Sequence, residues 1–260
     1  MEHPRPRGGR LTIATPRATV VIPAYNEGAN ILPGLDRIVA AVDDTLEIVV
    51  VVDSADDTTI APVKRYAKDH PAVSVVVNDY GRGPAFAIRY GIDHAAAPTV
   101  VVTMADGCDD PRQIEDLVLL VERGVVVAAA SRYMAGGQQV GAPRLKSFLS
   151  RSAGRSLHTF ANAGTRDATN SFKAYDAAFV RAVGINSRDG FEIGLELTAK
   201  ARRLRLPVAE IPTIWLDRTA GDSNFKLARW IPKYLRWYRF AFGPRLTVDQ
   251  LTSKMNRNQP

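Results

Sequence analysis

Apolar residues in this chain recur as short Val/Ile-rich runs separated by stretches with helical spacing. Thr19–Pro23 is a β-branched run. Across Glu27–Val42, residues Ile31, Leu35, Ile38 and Val42 then fall at the three- and four-residue spacing of one helix face. The alternation continues with strands at Glu47–Val52, Val73–Val77, Thr99–Met104 and Val125–Ala130. Between them, helices are predicted over Ala61–Asp69, Gly83–Ala97 and Pro111–Glu122. The apolar runs are nearly continuous, the mark of strands covered on both faces. The pattern predicts an α/β fold, a mostly parallel Rossmann-like sheet flanked by helices, with ligand chemistry beyond the strands' carboxyl ends.

The second half is less regular. Arg144–Phe160 and Gly190–Leu204 read as helices, Thr169–Tyr175 and Pro207–Leu216 as strands, and Ser223–Phe242 as a long aromatic and basic stretch. No repeat or linker interrupts the pattern. One domain is expected over residues 17–245, with a flexible basic tail at 1–16 and a second tail at 246–260.

Each of the first four strands runs into a polar or acidic loop. These are Pro23-Ala24-Tyr25-Asn26-Glu27, Asp53-Ser54-Ala55-Asp56-Asp57-Thr58, Asn78-Asp79-Tyr80-Gly81-Arg82-Gly83 and Ala105-Asp106-Gly107-Cys108-Asp109-Asp110. Asp, Asn and Gly also cap helices and make turns, so any one loop has a plain structural explanation. Four in succession at one sheet edge point to a site.

Charge narrows the ligand. Lys plus Arg number 34 against 27 Asp plus Glu, a net +7, which suits phosphate, nucleic acid or anionic lipid. Apolar content of 46% and charged content of 23% exclude a wholly disordered chain. The single cysteine, Cys108, excludes an internal disulfide and a Cys-based metal cluster, and a reducing cytoplasm is expected. The opening residues carry no apolar core of a signal peptide, and no apolar run is long enough to cross a bilayer.

At these residues the chain resembles a known family. Val20-Val21-Ile22-Pro23-Ala24-Tyr25-Asn26-Glu27 is similar to the opening strand of family-two glycosyltransferases, which have the GT-A fold. The Asp53–Thr58 loop and the Gly81–Gly83 turn follow at the family's distances. Ser131-Arg132-Tyr133, Asp167-Ala168-Thr169-Asn170-Ser171-Phe172-Lys173 and Asp217-Arg218-Thr219-Ala220-Gly221-Asp222-Ser223 narrow the likeness to the dolichyl-phosphate mannose synthase-like branch. The resemblance covers roughly residues 18–240 and implies an inverting enzyme moving a sugar from a nucleotide to polyprenyl phosphate.

The resemblance also implies roles. Pro23, Ala24, Tyr25 and Glu27 would hold the base and ribose of a UDP-, GDP- or dTDP-sugar, with Asp53 at the base edge and Gly81 and Gly83 near the nucleotide. Mg²⁺ or Mn²⁺ would be held by Asp106, helped by Asp109 or Asp110, because a leaving diphosphate gathers charge that a cation stabilises. The family's first acidic position is occupied here by Met104, a departure that weakens the metal motif. Helix capping ahead of Pro111 is the other use for Asp109 and Asp110.

Arg132, Arg218 and Lys226 are the phosphate-clamp candidates, Arg offering a planar fork. Asp106, Asp167, Glu196 and Arg218 form the catalytic set. A hydroxyl acceptor would need Asp167 or Glu196 as a base, whereas a phosphate acceptor is already ionised near neutral pH.

Phe225–Arg245 interleaves aromatic and basic residues and contains no acid. Peripheral contact with the inner face of a membrane is one expectation, and core packing or a homodimer face the other. No recognised nucleic-acid motif accompanies it. A soluble hydroxyl acceptor is the alternative for the chemistry. A sugar nucleotidyltransferase would need a Gly-rich basic loop after the first strand, which Ala24–Glu27 is not. An inactive nucleotide-sugar-binding protein is motivated by Met104 alone.

Overall fold

The computed structural model describes residues 15–42, 45–141, 143–217 and 227–257. The alternation predicted from the sequence is present. Strands β1 (Ala18–Pro23), β2 (Leu46–Val52), β3 (Val73–Val77), β4 (Thr99–Val102) and β5 (Val127–Ser131) are interleaved with helices α1 (Leu32–Val39), α2 (Ile60–Tyr66), α3 (Pro84–His94) and α4 (Ile114–Glu122). The second half adds β6 (Gln138–Val140), α5 (Arg144–Ala161), β7 (Lys173–Asp176), α6 (Ala177–Val183), α7 (Ile193–Leu204), β8 (Val208–Pro212), β9 (Ile214–Leu216), α8 (Leu227–Ala241) and α9 (Val248–Arg257).

The main sheet runs β3-β2-β1-β4-β7-β5-β8, and β6 and β9 form a separate two-stranded parallel ribbon. β7 alone runs antiparallel to its neighbours, so β1 to β5 and β8 present their carboxyl ends at one edge. Alternate residues of one strand feed opposite cores. Ala18, Val20 and Ile22 join Ile31, Leu35, Val63, Ile114 and Leu117 on one face. Val21 and Val51 join Ile88, Ile92, Phe179, Leu195 and Trp237 on the other. Truncating one such fully buried Leu or Ile to Ala costs roughly 2–5 kcal/mol, so both helical layers are needed to hold the strand ends in place.

Two expectations change here. Residues 246–260, expected as a tail, contain α9, whose Leu251 and Met255 are buried in the core beside α6. Its apolar residues lie four apart in a mostly polar helix, a signal too sparse to read without the partner surface. The aromatic stretch also packs inward. Trp237 is buried, donating its indole N–H to Ser187 Oγ at 3.1 Å, and Tyr234, Tyr238 and Phe240 pack against the same core. Core packing therefore takes these rings of the expected membrane face. Phe225 lies outside the described residues.

Candidate active site

The loop after β1 is shaped by the loop after β2. Pro23 and Ala24 are buried, and Tyr25 stands out of the surface. Asn26 takes a left-handed conformation (φ 52°), and its backbone N–H donates to Asp57 Oδ2 at 2.9 Å. The Asn26 side-chain oxygen accepts from Thr58 N, and Glu27 N donates to Thr59 Oγ1 at 3.0 Å. Asp57 and Thr59 thus set the Tyr25–Glu27 turn, a role the sequence did not reveal because it depends on two loops meeting.

Asp53 performs a similar task at the next strand end. One oxygen accepts from Gly83 N and the other from the Asn78 amide, each at 2.6 Å. Asn78 Oδ1 in turn accepts from Tyr80 N and Gly81 N. Gly83 sits at φ 109°, where an L side chain is strained, which explains a glycine there. The three expected residues Asp53, Gly81 and Gly83 are brought together, with Asn78 as the added organiser.

The loop after β4 contains three acids with three different tasks. Asp109 is buried, accepting at Oδ2 from Thr103 Oγ1 at 2.8 Å and from Met104 N at 3.4 Å. Burial first, and then the negative charge of Asp106, push its pKa up to about 6. Asp106 Oδ1 accepts from Cys108 N at 3.1 Å. Asp110 points elsewhere. It caps the turn at Pro111 by accepting from Arg112 N, and it pairs with the Arg112 guanidinium at 2.6 Å. Of the three, the structure gives Asp110 the capping task instead of the metal one.

Arg132 and Asp167 form a two-pronged ion pair. Arg132 Nε and Nη2 donate to the two carboxylate oxygens at 2.7 and 2.8 Å, and its backbone N–H adds a third bond. Burial opposes ionisation of Asp167, but Arg132 and Lys173 hold its pKa below the usual carboxylate value. Lys173 is fully buried and donates to the carbonyls of Asp167, Ala168 and Asn170. Desolvation pulls its pKa down to about 7 against the opposing charge of Asp167. Arg132, expected as a phosphate clamp, is committed to Asp167, and Asp167, expected as a base, is held ionised by two cations. Arg132 also acts electrostatically on Asp109, so this pair adjoins the acidic loop.

Glu196 has a structural position. It is fully buried in α7, pairs with Lys200 Nζ at 2.5 Å and accepts from the backbone N–H groups of Asn186 and Ser187. That pins the α6–α7 connection, and the base role expected for Glu196 gives way to this one. Arg218 and Lys226 lie outside the described residues. Glu192, missed in the sequence, is buried, and its Oε2 lacks a partner among the described residues while Oε1 accepts from Asp189 N at 3.2 Å. The Asp189 carbonyl lies 3.8 Å from where a Cβ on Gly83 would stand, so the segment whose Asp189 N–H bonds Glu192 abuts the Gly83 turn.

A divalent cation suits the Asp106–Asp109 loop on the structure's own terms. A buried carboxylate whose charge is opposed by a second carboxylate is a place where positive charge is favourable. Among the described residues no three His, Cys, Asp or Glu converge as ligands. The loop matches a cation that takes one or two carboxylates and fills its shell with phosphate oxygens and water.

A mostly parallel sheet with this loop at its carboxyl edge defines a GT-A fold. Residues 19–184 match the family described as Glycosyl transferase family 2, and the chain belongs to that family. Among its relatives is the dolichyl-phosphate β-glucosyltransferase of Trichomonas vaginalis, 26% identical over 81% of this chain and 66% of that protein. The dolichol-phosphate mannosyltransferase of Pyrococcus furiosus is 29% identical over 85% of this chain and 62% of its own length. The polyprenol monophosphomannose synthase of Mycolicibacterium smegmatis is 28% identical over 83% and 87%. The chain therefore spans less than two-thirds of the first two. A mannosyltransferase from Pyrobaculum calidifontis in complex with GDP-Man and Mn²⁺ shares the fold at a TM-score of 0.60, with 21% identity over 94% of this chain and 70% of its own. A glucosyl-3-phosphoglycerate synthase from Mycobacterium tuberculosis shares it at 0.63, with 17% identity over 90% and 82%.

Proposed function

We propose that the chain transfers a sugar from a nucleoside-diphosphate donor to polyprenyl phosphate, with a divalent cation held by Asp106 and Asp109. The observation that carries this reading is that the loop at the carboxyl end of β4 holds both carboxylates, near enough for the Asp106 charge to raise the pKa of buried Asp109. That loop lies between the loops assigned to the nucleotide and the Arg132–Asp167 pair. The cation, Mg²⁺ or Mn²⁺, would supply positive charge to the leaving diphosphate. The relatives named for dolichol and polyprenol phosphates support the acceptor.

In the step itself, an acceptor phosphate oxygen forms a bond to the anomeric carbon. The bond from that carbon to the diphosphate oxygen breaks, and its electron pair leaves with the diphosphate. The acceptor phosphate has a second pKa near 6, so no base is needed. This agrees with Asp167 and Glu196 both being consumed in ion pairs. Pro23 to Glu27 and the Asp53–Gly83 turn would hold the base and ribose, and Arg218 and Lys226 are proposed on the family likeness as the cations facing phosphate. The reaction is placed at the cytoplasmic surface of a membrane, where such an acceptor resides.

One observation favours a second reading. Glu192 Oε2 is a buried carboxylate oxygen without a partner among the described residues, and burial raises its pKa, a property suited to a base for a hydroxyl acceptor. A single experiment separates the two. UDP-, GDP- and dTDP-sugars are incubated with a short-chain polyprenyl phosphate and, in parallel, with small hydroxyl acceptors, each with Mn²⁺ or EDTA. Metal-dependent transfer to the lipid phosphate that persists in Glu192→Gln supports the proposal. Transfer only to hydroxyls, abolished in Glu192→Gln, establishes the second reading.

A further inference from the structure

One face of α5 and one face of the β6–β9 ribbon are apolar and open to solvent. On α5, Leu145 (65% exposed), Phe148 (66%), Leu149 and Phe160 (76%) lie on the outward side, while Gly154 and Leu157 on the opposite side are buried. In the ribbon, Val140 pairs with Leu216 and Gln138 with Ile214, so Val140, Ile214 and Leu216 share one face, and all three are exposed. Only residues 141–143 separate the ribbon from α5. Exposed apolar groups gathered this way are uncommon on a surface that meets water alone.

The charge around them is mostly positive, the exposed Asp217 just after Leu216 being an acid at the ribbon's edge. Residues 123–166 contain no Asp or Glu, and α5 carries Arg144, Lys146, Arg151 and Arg155. Arg151 and Arg155 are exposed, and the Arg151 guanidinium stands 5.4 Å from the ring centre of Tyr133. A helix with large outward apolar side chains, flanking cations and no acids is complementary to an anionic bilayer surface, where apolar groups enter the headgroup boundary and cations meet lipid phosphates. A second copy of the same chain would bring cations against cations.

The face adjoins the site. Leu216 N donates to Cys108 O, tying the ribbon to the acidic loop. Ser150 and Thr169 share a hydroxyl hydrogen bond at 2.6 Å, and Gly154 packs so tightly on the Arg166 carbonyl that a Cβ would come within 1.9 Å of it. Thus α5 is seated on the segment that carries Asp167. We infer that the outward faces of α5 and the β6–β9 ribbon form the surface by which this domain lies on an anionic membrane, with the carboxyl edge of the sheet held at the height of the lipid phosphates. This rests on the polyprenyl-phosphate reading for its purpose, since such an acceptor resides in a bilayer. The contact surface is α5 and the ribbon instead of the inward-packed rings of α8.

Co-sedimentation with phosphatidylglycerol/phosphatidylcholine vesicles tests it, using the wild type, Leu145→Gln/Phe148→Gln/Arg155→Gln, and Arg236→Gln/Arg239→Gln on the exposed side of α8 as control. The α5 positions are solvent-exposed, so the fold is expected to persist, checked by circular dichroism and unchanged donor binding. The wild type and the α8 variant should bind, and the α5 variant should lose at least about tenfold in partitioning because both its apolar and its cationic contributions fall. Binding should weaken as added salt shortens the screening length from about 10 Å at 0.1 M to about 3 Å at 1 M. Absence of wild-type binding, or equal binding by the α5 variant, overturns the inference. So does salt-insensitive dimerisation abolished by Phe148→Gln without vesicle binding. Transfer to a short, water-soluble prenyl phosphate without vesicle binding leaves the acceptor standing and removes the docking face. Vesicle binding with no lipid-phosphate transfer does the reverse.

Discussion

Arg132 and Asp167, 35 residues apart in the chain, meet as a two-pronged ion pair at 2.7 and 2.8 Å, with the Arg132 backbone N–H completing it. The pair joins the carboxyl end of β5 to the segment leading into β7, the reversed strand. Breaking a buried pair by removing one partner costs about 3–5 kcal/mol, because the other charge is left uncompensated. Arg132→Ala and Asp167→Asn should therefore each lose stability of that order in urea unfolding. The double variant should lose clearly less than the sum. Additive losses would show that the two side chains do not act as one unit.

The same pair sets an acid limit. The Asp167 pKa is held below its usual value, so on acidification the unfolded chain takes up this proton before the folded one does. Stability from this group is present above about pH 4, the unfolded value, and is lost as the pH falls further. Asp167→Asn should flatten that part of the stability–pH curve, measured by urea midpoints from pH 5 downwards.

Lys173 has the opposite signature. Unfolded lysine keeps its proton to about pH 10.4, while in the folded protein burial brings the value down to about 7. Between these limits the unfolded chain binds more protons, so stability rises with pH, by at most about 1.4 kcal/mol per unit. The stability difference between wild type and Lys173→Met should move in favour of wild type between pH 7 and 10. A difference independent of pH would show that the three carbonyls hold Lys173 charged throughout.

Glu196 and Lys200 are fully buried partners, and Glu196 accepts two backbone N–H groups. Glu196→Gln should destabilise by about 3–5 kcal/mol while the turnover of the folded fraction at low temperature stays within about twofold. A loss of turnover with unchanged stability would instead make Glu196 part of the chemistry.

Asp106→Asn should keep the fold, because asparagine has the same shape and still offers an oxygen to accept from Cys108 N within its own loop. Loss of one charge-stabilising group typically costs about 100- to 1,000-fold in turnover, and Mn²⁺ binding by calorimetry should weaken in parallel. Unchanged Mn²⁺ binding and turnover would remove Asp106 from the metal site.

Much of this molecule is legible in its sequence. Val/Ile runs predict strands of a parallel sheet, and β1, β2 and β4 lie inside that sheet while β3 is at its partly exposed edge. Their carboxyl ends mark the site edge, where Asp53, Gly83, Asp106 and Asp109 are found. For Asp110 the sequence left a metal ligand and a helix cap as alternatives, and the bond it accepts from Arg112 N decides for the cap. What the tertiary structure alone decided is pairing across distance. Asp167 and Glu196 look like free acids until Arg132 and Lys200 are seen to neutralise them, and the aromatic side of α8 looks like a lipid face until Trp237 is found in the core. The outward apolar face belongs to α5, whose residues have the same composition whether they turn inward or outward. Periodicity tells which residues share a face, but only the packed neighbours tell which face meets water, because burial is a property of two surfaces and a sequence pattern describes one.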